Sequence, residues 1–356
     1  MDWFEASFRS NWTDPVTASN TTLTSMTADH TASTLVFGGG DPVLVGLKPG
    51  MGIKFTGLTA TANNGTTFVI TGFSGTSNRT VGVLPAPTTA ASESTFTLSS
   101  TGSSLIIPST GHTRRKVAVE IYSEDVDIAR LFTECRVGGF NLQMPATGMS
   151  TIEFNATGRD MEVYETTAAP FFTAPAAATT THLLAAVNGL LRISGQTVAV
   201  ITAMNIQNAI TLTGDPVVGS NLVPEIFAGR NVITGQMTAF FQDAVLINDF
   251  KNESEIDVLA YLTTGSLPGA PAMSFYLPRV KLGGADLATT GEQGQMITIP
   301  YQALKYEGTA AGVPQTTMQI WDSEVPAGSG TLMADRSEID NESSAAKEGP
   351  RLARAG

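Results

Sequence analysis

FNLQMPATGMSTIEFNATGRD, residues 140–160, alternates apolar and polar side chains on both sides of a turn. On the first arm Phe140, Leu142 and Met144 alternate with Asn141 and Gln143; on the second, Ile152, Phe154 and Ala156 alternate with Thr151, Glu153 and Asn155. Successive side chains of a strand point to opposite faces, so this spacing predicts a β-hairpin with one apolar and one polar face. Pro145, Ala146, Thr147 and Gly148 supply the reversal, proline by fixing φ and glycine by accepting a positive φ.

The pattern returns downstream. Ala203-Met204-Asn205-Ile206-Gln207 echoes Gly139 to Gln143, and Gly235 to Phe240 (GQMTAF) echoes Gly148 to Phe154. A second, related hairpin is expected there, continued by Ile210 and Leu212 and interrupted by a Pro/Gly-containing loop from Asp215 to Gly229.

At 356 residues the chain is long enough for a large core. Its single cysteine, Cys135, forms no intrachain disulfide and reads as a small buried hydrophobe. The start MDWFEASFRS lacks a basic region followed by an apolar one, and no run approaches the roughly 18 apolar residues of a membrane span. The expectation is a soluble protein made in the cytosol. A net charge of −12 argues against ordinary grip on nucleic acid, which rests on Lys and Arg neutralising phosphates. Only 15% of residues are charged while Thr, Ser, Asn and Gly abound, the profile of a β-rich protein with a neutral polar surface.

Along the chain, Phe4 to Phe8 reads as a short strand and Thr17 to Thr34 as an extended arm or linker. Short apolar runs then recur at Leu35–Phe37, Gly52–Phe55, Thr67–Phe73, Thr80–Leu84 and Thr95–Leu98, with turn signals at Pro49-Gly50, Asn63-Asn64-Gly65 and Ser74-Gly75. A small barrel of five strands is the economical reading, with Ala86 to Ala91 as a loop on it. Val117–Tyr122 is a strand, and residues 124–135 fit either a helical turn or a continuing strand. Leu190–Ile193 and Val198–Thr202 form a hairpin around Ser194-Gly195-Gln196, Asp243–Asn252 is the best helix, and Ile256–Leu262, Ser274–Leu277, Met296–Tyr301 and Met318–Trp321 are later strands. The expected division is 1–34 as N-terminal strand and arm, 35–104 as an inserted, outward-facing barrel, 105–322 as the core domain, and 323–356 as a polar tail that orders only against neighbouring chains.

Chemistry is sparse. His30, His112 and His182 stand apart with no ligand at metal spacing, Gly38-Gly39-Gly40 precedes Asp41-Pro42 rather than Gly-Lys-Ser/Thr, and Gly72–Thr76 lacks the second glycine of a nucleophile elbow. Glu124, Asp125 and Asp127 read as a solvated acidic face, and Arg114, Arg115 and Lys116 as a basic cluster suited to an acidic patch on a neighbour. No catalytic residue, metal or cofactor is expected.

The ordered set of features from Tyr122 and Asp125 through Cys135-Arg136-Val137, Phe140-Asn141-Leu142 and Gly158-Arg159-Asp160 resembles the major tail tube proteins of long-tailed bacteriophages. So do Ala186–Leu191 (AVNGLL), Gly235–Phe240, and the closing pair Tyr276–Lys281 (YLPRVK) and Met296–Leu304 (MITIPYQAL). The resemblance runs from Arg114 to Trp321, plus Phe8 to Pro15, and leaves out Leu35–Ser100 and the tail. It implies a mainly β subunit, a β-sandwich with a short flanking helix, assembled into hexameric rings that stack into a tube. The implied partners are further copies, the tape-measure protein inside the tube, and the tail terminator and baseplate or tip proteins at its ends. DNA would pass through without specific binding, no membrane is involved, and the implied location is the virion tail, assembled in the host bacterial cytoplasm. Within that resemblance, Asn141, Gln143, Thr151, Glu153, Asn155, Asn205, Gln207, Thr211, Gln236 and Thr238 are expected to line the lumen, while Phe140, Leu142, Ile152, Phe154, Ile206, Leu212 and Met237 face the subunit's core. The rival readings are a secreted or surface β-adhesin, for which the Thr/Ser/Asn-rich strands speak, a type VI secretion-like tube protein, and, third, a virion glycosidase.

Overall fold

The protein is described here by a computed structural model, for residues 2–325 apart from 20, 166–167, 169, 172–183, 194–195, 198–200, 220–222, 241–244, 266–269, 285 and 289–294. Strands dominate and gather in two antiparallel sheets. The first takes β1 (Thr17–Ser19), β2 (Leu23–Asp29), β3 (Thr34–Gly39), β4 (Gly52–Thr56), β5 (Phe68–Ser74), β6 (Thr80–Leu84), β7 (Ala90–Glu93) and β8 (Thr97–Ser100). Their spatial order is β1-β8-β4-β5-β6-β3-β2-β7.

The strands expected of a small barrel are therefore neighbours, as β8-β4-β5-β6-β3, but they do not close. The strand order is an open path: β2 and β7 extend one edge and β1 the other. The expected arm supplies two of these strands. Leu23, Met26 and Ala28 of β2 are buried in the core of the first sheet, and a register shift between Leu23 and Ser25 breaks the period of two that would have revealed the strand.

The second sheet holds β9 (Ser103–Ile106), β10 (Val117–Ser123), β11 (Ile128–Pro145), β12 (Thr151–Thr157), β13 (Asp160–Glu165), β14 (Ala185–Ile193) and β15 (Gln196–Thr197). It continues with β16 (Ile201–Thr213), β17 (Phe227–Phe240), β18 (Ile256–Thr263), β19 (Ala272–Leu282), β20 (Asp286–Ala288), β21 (Met296–Ala303) and β22 (Gln319–Asp322). Its main path is β10-β11-β16-β17-β21-β19-β18-β14-β15, with β12 and β13 on β11, and β22 on β19. The path bends at β21, and its two halves enclose one core. Phe140, Leu142 and Ile206 come from one half, Val258, Phe275, Leu277 and Ile320 from the other. This is the expected sandwich. Residues 124–127 are a turn, and the chain from Ile128 is strand.

Asp2–Phe8 is a helix, α1, where a strand was expected. Phe4 and Phe8 are spaced i, i+4, which places side chains together on a helix and in phase on a strand alike, so spacing cannot separate the two. Burial does: Phe4, Glu5, Ala6, Ser7 and Phe8 are all buried. Phe4 meets Phe140 and Phe154 edge-on at 5.4 and 5.2 Å, closing the core from the N-terminal side. The expected second helix is present as α2 (Val245–Lys251), whose Ile247 packs on Ala239, Ile297 and Ile299.

The two sheets share a boundary without slack. Trp321 of β22 sits in the core cluster of the first sheet and donates from Nε1 to the carbonyl of Thr101 at 2.5 Å. A Cβ on Gly52 would lie 2.3 Å from its ring. Gln319 donates to the carbonyl of Pro49 at 2.7 Å, and Ser274 donates to that of Gly50. Gly52→Ala is therefore expected to cost roughly 1–3 kcal/mol in chemical denaturation through overpacking. Gly72→Ala, whose added carbon meets nothing within 4 Å, is the control and is expected to stay within about 0.5 kcal/mol. Equal losses at both positions would show that the Trp321 contact does not govern the boundary.

Candidate functional site

The side chains singled out in the two hairpins come together on one face. The strands β12, β11, β16 and β17 are neighbours, so the hairpins lie side by side as one continuous sheet. One cross-strand row runs Thr151, Gln143, Asn205, Gln236; the next runs Glu153, Asn141, Gln207, Thr234. Asn155 opposes Gly139, and Thr238 opposes Ala203. Thr211 is exposed on the same side, beside a register shift. Sequence reasoning missed Thr234 and, on the adjoining β21, Thr298 and Gln302, which extend the same rows. Their alternation with Ile233, Ile297 and Ile299 is the signal that would have found them.

Most of these groups are exposed, and of those predicted only Glu153 is charged. Asn205 Oδ1 accepts from the backbone N–H of Gln236 at 2.6 Å, and the Oδ1 of Asn141 is buried without a partner. The face is a carpet of amides and hydroxyls rather than a concave pocket.

Its reverse is apolar by the same parity. Ile152, Leu142 and Ile206 make one row; Met144, Met204, Met237 and Ile299 make another. Leu212, expected among them, is only partly buried and lies outside this core. Asn208 is the polar exception. It is buried, and its amide donates to Ser7 Oγ at 2.8 Å, tying α1 onto the sheet. Gly235 sits in the middle row because Tyr301 lies over it: an added Cβ would be 2.4 Å from the phenol oxygen, which donates to the carbonyl of Asn205 at 2.8 Å.

β11 has 18 residues and continues past the polar face. At Gly139, with φ +120°, the register shifts, and an added Cβ would lie 1.9 Å from the Asn208 carbonyl oxygen. Beyond this bulge Ile128–Cys135 pairs β10 and β13 instead. One side of that leaf carries Val119, Ile121, Ile128, Phe132, Met161 and Val163, with Arg130 between Ile121 and Val163 and with Ser123 and Glu165 flanking Ile128. Val163 is 58% exposed and Met161 50%, and none of these side chains joins a core cluster.

The charged clusters are used within the chain. Arg115 meets the buried Glu5 at 3.2 Å, and Lys116 bridges Glu134 at 3.1 Å and Glu225 at 3.7 Å, rather than waiting for a neighbour. Arg159 holds Glu134 at 2.6 Å and Arg136 holds Glu225 at 2.5 Å. Asp127 of the acidic turn accepts from the Tyr122 hydroxyl at 2.6 Å. Among the described residues no group of His, Cys, Asp and Glu is arranged to hold a metal ion; His182 and the C-terminal tail lie outside them. A cleft of ≈ 450 Å³ near Leu47, Ile106 and Val313 has Lys48 as its only ionisable lining group, its ammonium pushed down by burial.

Comparison with known families finds that the model for a phage tail tube protein matches residues 4–303, and so spans the first sheet as well as the second. No curated protein matches the chain.

The Glu134/Glu225 cluster has a pH signature. Both carboxyls are held below the usual range, Glu134 chiefly by Arg159 and Glu225 chiefly by Arg136. A lowered folded pKa stabilises above the unfolded value, and that contribution fades as pH falls through the folded one. Glu225→Gln is expected to cost about 0.5–1 kcal/mol at neutral pH, since the carboxylate is partly solvated. The gap from wild type should then close below about pH 4. Comparing the two proteins isolates the cluster from Asp257 and Asp322, whose buried carboxyls are pushed up and act with the opposite sign. A gap unchanged from pH 7 to pH 3 would remove the cluster from the acid response.

Proposed function

The chain belongs to the phage tail tube protein family, a structural subunit that self-assembles into a tube of the virion, and we propose that the polar face of β12, β11, β16 and β17 lines that tube. The observation that carries this reading is the convergence of Asn141, Gln143, Thr151, Glu153, Asn155, Asn205, Gln207, Thr211, Gln236 and Thr238 on one side of a continuous sheet. A wall of amides and hydroxyls in a chain of net charge −12 offers phosphate no cation to hold. It lets DNA slide, and it leaves room for an extended tape-measure protein before DNA enters.

In this reading the subunits form hexameric rings that stack. Among the described residues β12 pairs only with β11, so its outer backbone edge meets the neighbouring copy, and ring closure removes the exposed edge. The tail terminator and the baseplate or tip proteins cap the stack, and assembly takes place in the host cytoplasm. The eight-stranded first sheet lies outside the tube wall as an added layer. Because Trp321 is part of its core, removing that layer would strip the wall as well.

The test places cations on the face. Gln143 and Gln236 are both exposed and lie in one row, on either side of Asn205. Gln143→Lys with Gln236→Lys is expected to leave tubes visible by negative-stain electron microscopy. Particles built from them should deliver DNA at least tenfold less, because every added cation offers a phosphate contact that the next ring repeats. Full delivery from particles shown to contain the substituted tubes would place this face elsewhere.

A further inference from the structure

The β16–β17 hairpin carries an exposed apolar tip at one end and, at the other, an apolar cleft that opens at the margin of the core. Past Thr213 the chain forms Asp215-Pro216-Val217-Val218-Gly219, with every residue from Thr213 to Gly219 exposed. Val218 is fully exposed and Val217 is 49% exposed, and Gly219 turns the chain at φ +90°. The root of this tip is braced. Arg159 Nε donates to the Val223 carbonyl at 2.6 Å and Arg136 holds Glu225, which fixes the returning strand where it re-enters the sheet.

At the other end, where β16 begins, a cleft of ≈ 190 Å³ opens among Met144, Ala146, Leu190, Leu191, Ile201 and Leu262. No lining residue is charged. Its volume falls below the roughly 300–1,000 Å³ of most small-molecule sites and suits a side chain or two. The 13 residues of β16 separate cleft from tip by about 40 Å, at about 3.3 Å per residue.

We propose that the Val217-Val218 tip of one subunit seats in the Met144/Leu191/Ile201 cleft of a second copy lying next along the tube. This rests on the tube reading and names the contact that joins one ring to the next. Tip and cleft sit at opposite ends of one rigid hairpin, so they cannot meet within a chain. A contact between two different patches of identical molecules is heterologous and repeats along an axis without closing, as a stack requires. The leaf of β10, β11 and β13, largely apolar on one side apart from Arg130 and Glu165, lies at the tip's end of the sheet, since Gly139 pairs Ala209 near the end of β16 and β11 runs on past it. Ile121, Met161 and Val163 thus extend the same surface.

The test uses the full chain. Val217→Asp with Val218→Asp changes side chains that reach no core cluster, so the melting temperature and single rings should be preserved, while tubes vanish from electron micrographs and from sedimentation profiles. Ala146→Trp, which fills the cleft from an exposed position, should do the same. Mixed Val218→Cys and Ala146→Cys subunits should form a disulfide-linked dimer in tubes under mild oxidation that neither variant forms alone; the native Cys135 is buried. Wild-type tubes together with normal tubes from the Asp variant and no mixed dimer would overturn this contact alone. Wild-type protein that forms no tubes would overturn the tube reading and this contact with it.

Discussion

Phe140, Ile206 and Met237 must be buried together, and that requirement orders much else in the subunit. They sit on adjacent strands whose cross-strand rows run from β12 to β21, and α1 lies over the Phe140 end of them. A shift of one residue anywhere in this ladder would turn amides inward and phenyl rings out. Register is therefore set by the cost of burying Gln143 or Gln207, both exposed here, without partners, a penalty of about 1–3 kcal/mol per group. The polar face is what remains when the apolar one is satisfied. Its uniformity needs no separate selection of contacts, only the absence of cations and of large apolar groups.

β11 carries this order past the limit of the face. Its C-terminal half belongs to the polar-faced sheet and its N-terminal half to the leaf, and the bulge at Gly139 separates the two environments. Glu134, Arg136 and Arg159 cluster beside that bulge, with Lys116 and Glu225. The ion pairs are partly solvated, so their value lies less in net energy than in fixing how leaf, tip and wall are angled.

What could be read from the residues followed from local periodicity. Both hairpin arms, β6, the later strands and α2 were legible because their patterns hold over successive residues without a break. What could not be read depended on distance or on ambiguity. Nothing local says that Asn141 lies beside Gln207, since that pairing joins separate hairpins. Phe4 and Phe8 satisfy helix and strand alike, and the bulge in β2 hides Leu23 from Met26. Gly52 and Gly235 look like any strand glycine until Trp321 and Tyr301 are placed over them. The open edges of the first sheet follow from β1, β2 and β7, which read as arm and loop.

A tube wall has to satisfy two demands that pull apart. Subunits must hold one another through many repeats, which calls for apolar surface, while the bore must hold nothing, which forbids it. This chain separates the demands along its strands rather than across domains. The middle of the β16–β17 hairpin presents a neutral polar face, and the accessible apolar groups, Val217 and Val218 at one end and the Ile201 cleft at the core's margin at the other, are displaced to its ends. In the proposed tube alternation would assign the bore, because a period of two needs no further information to keep one face clean. Strand length would assign the contacts, because only a hairpin longer than the face it presents can reach beyond it.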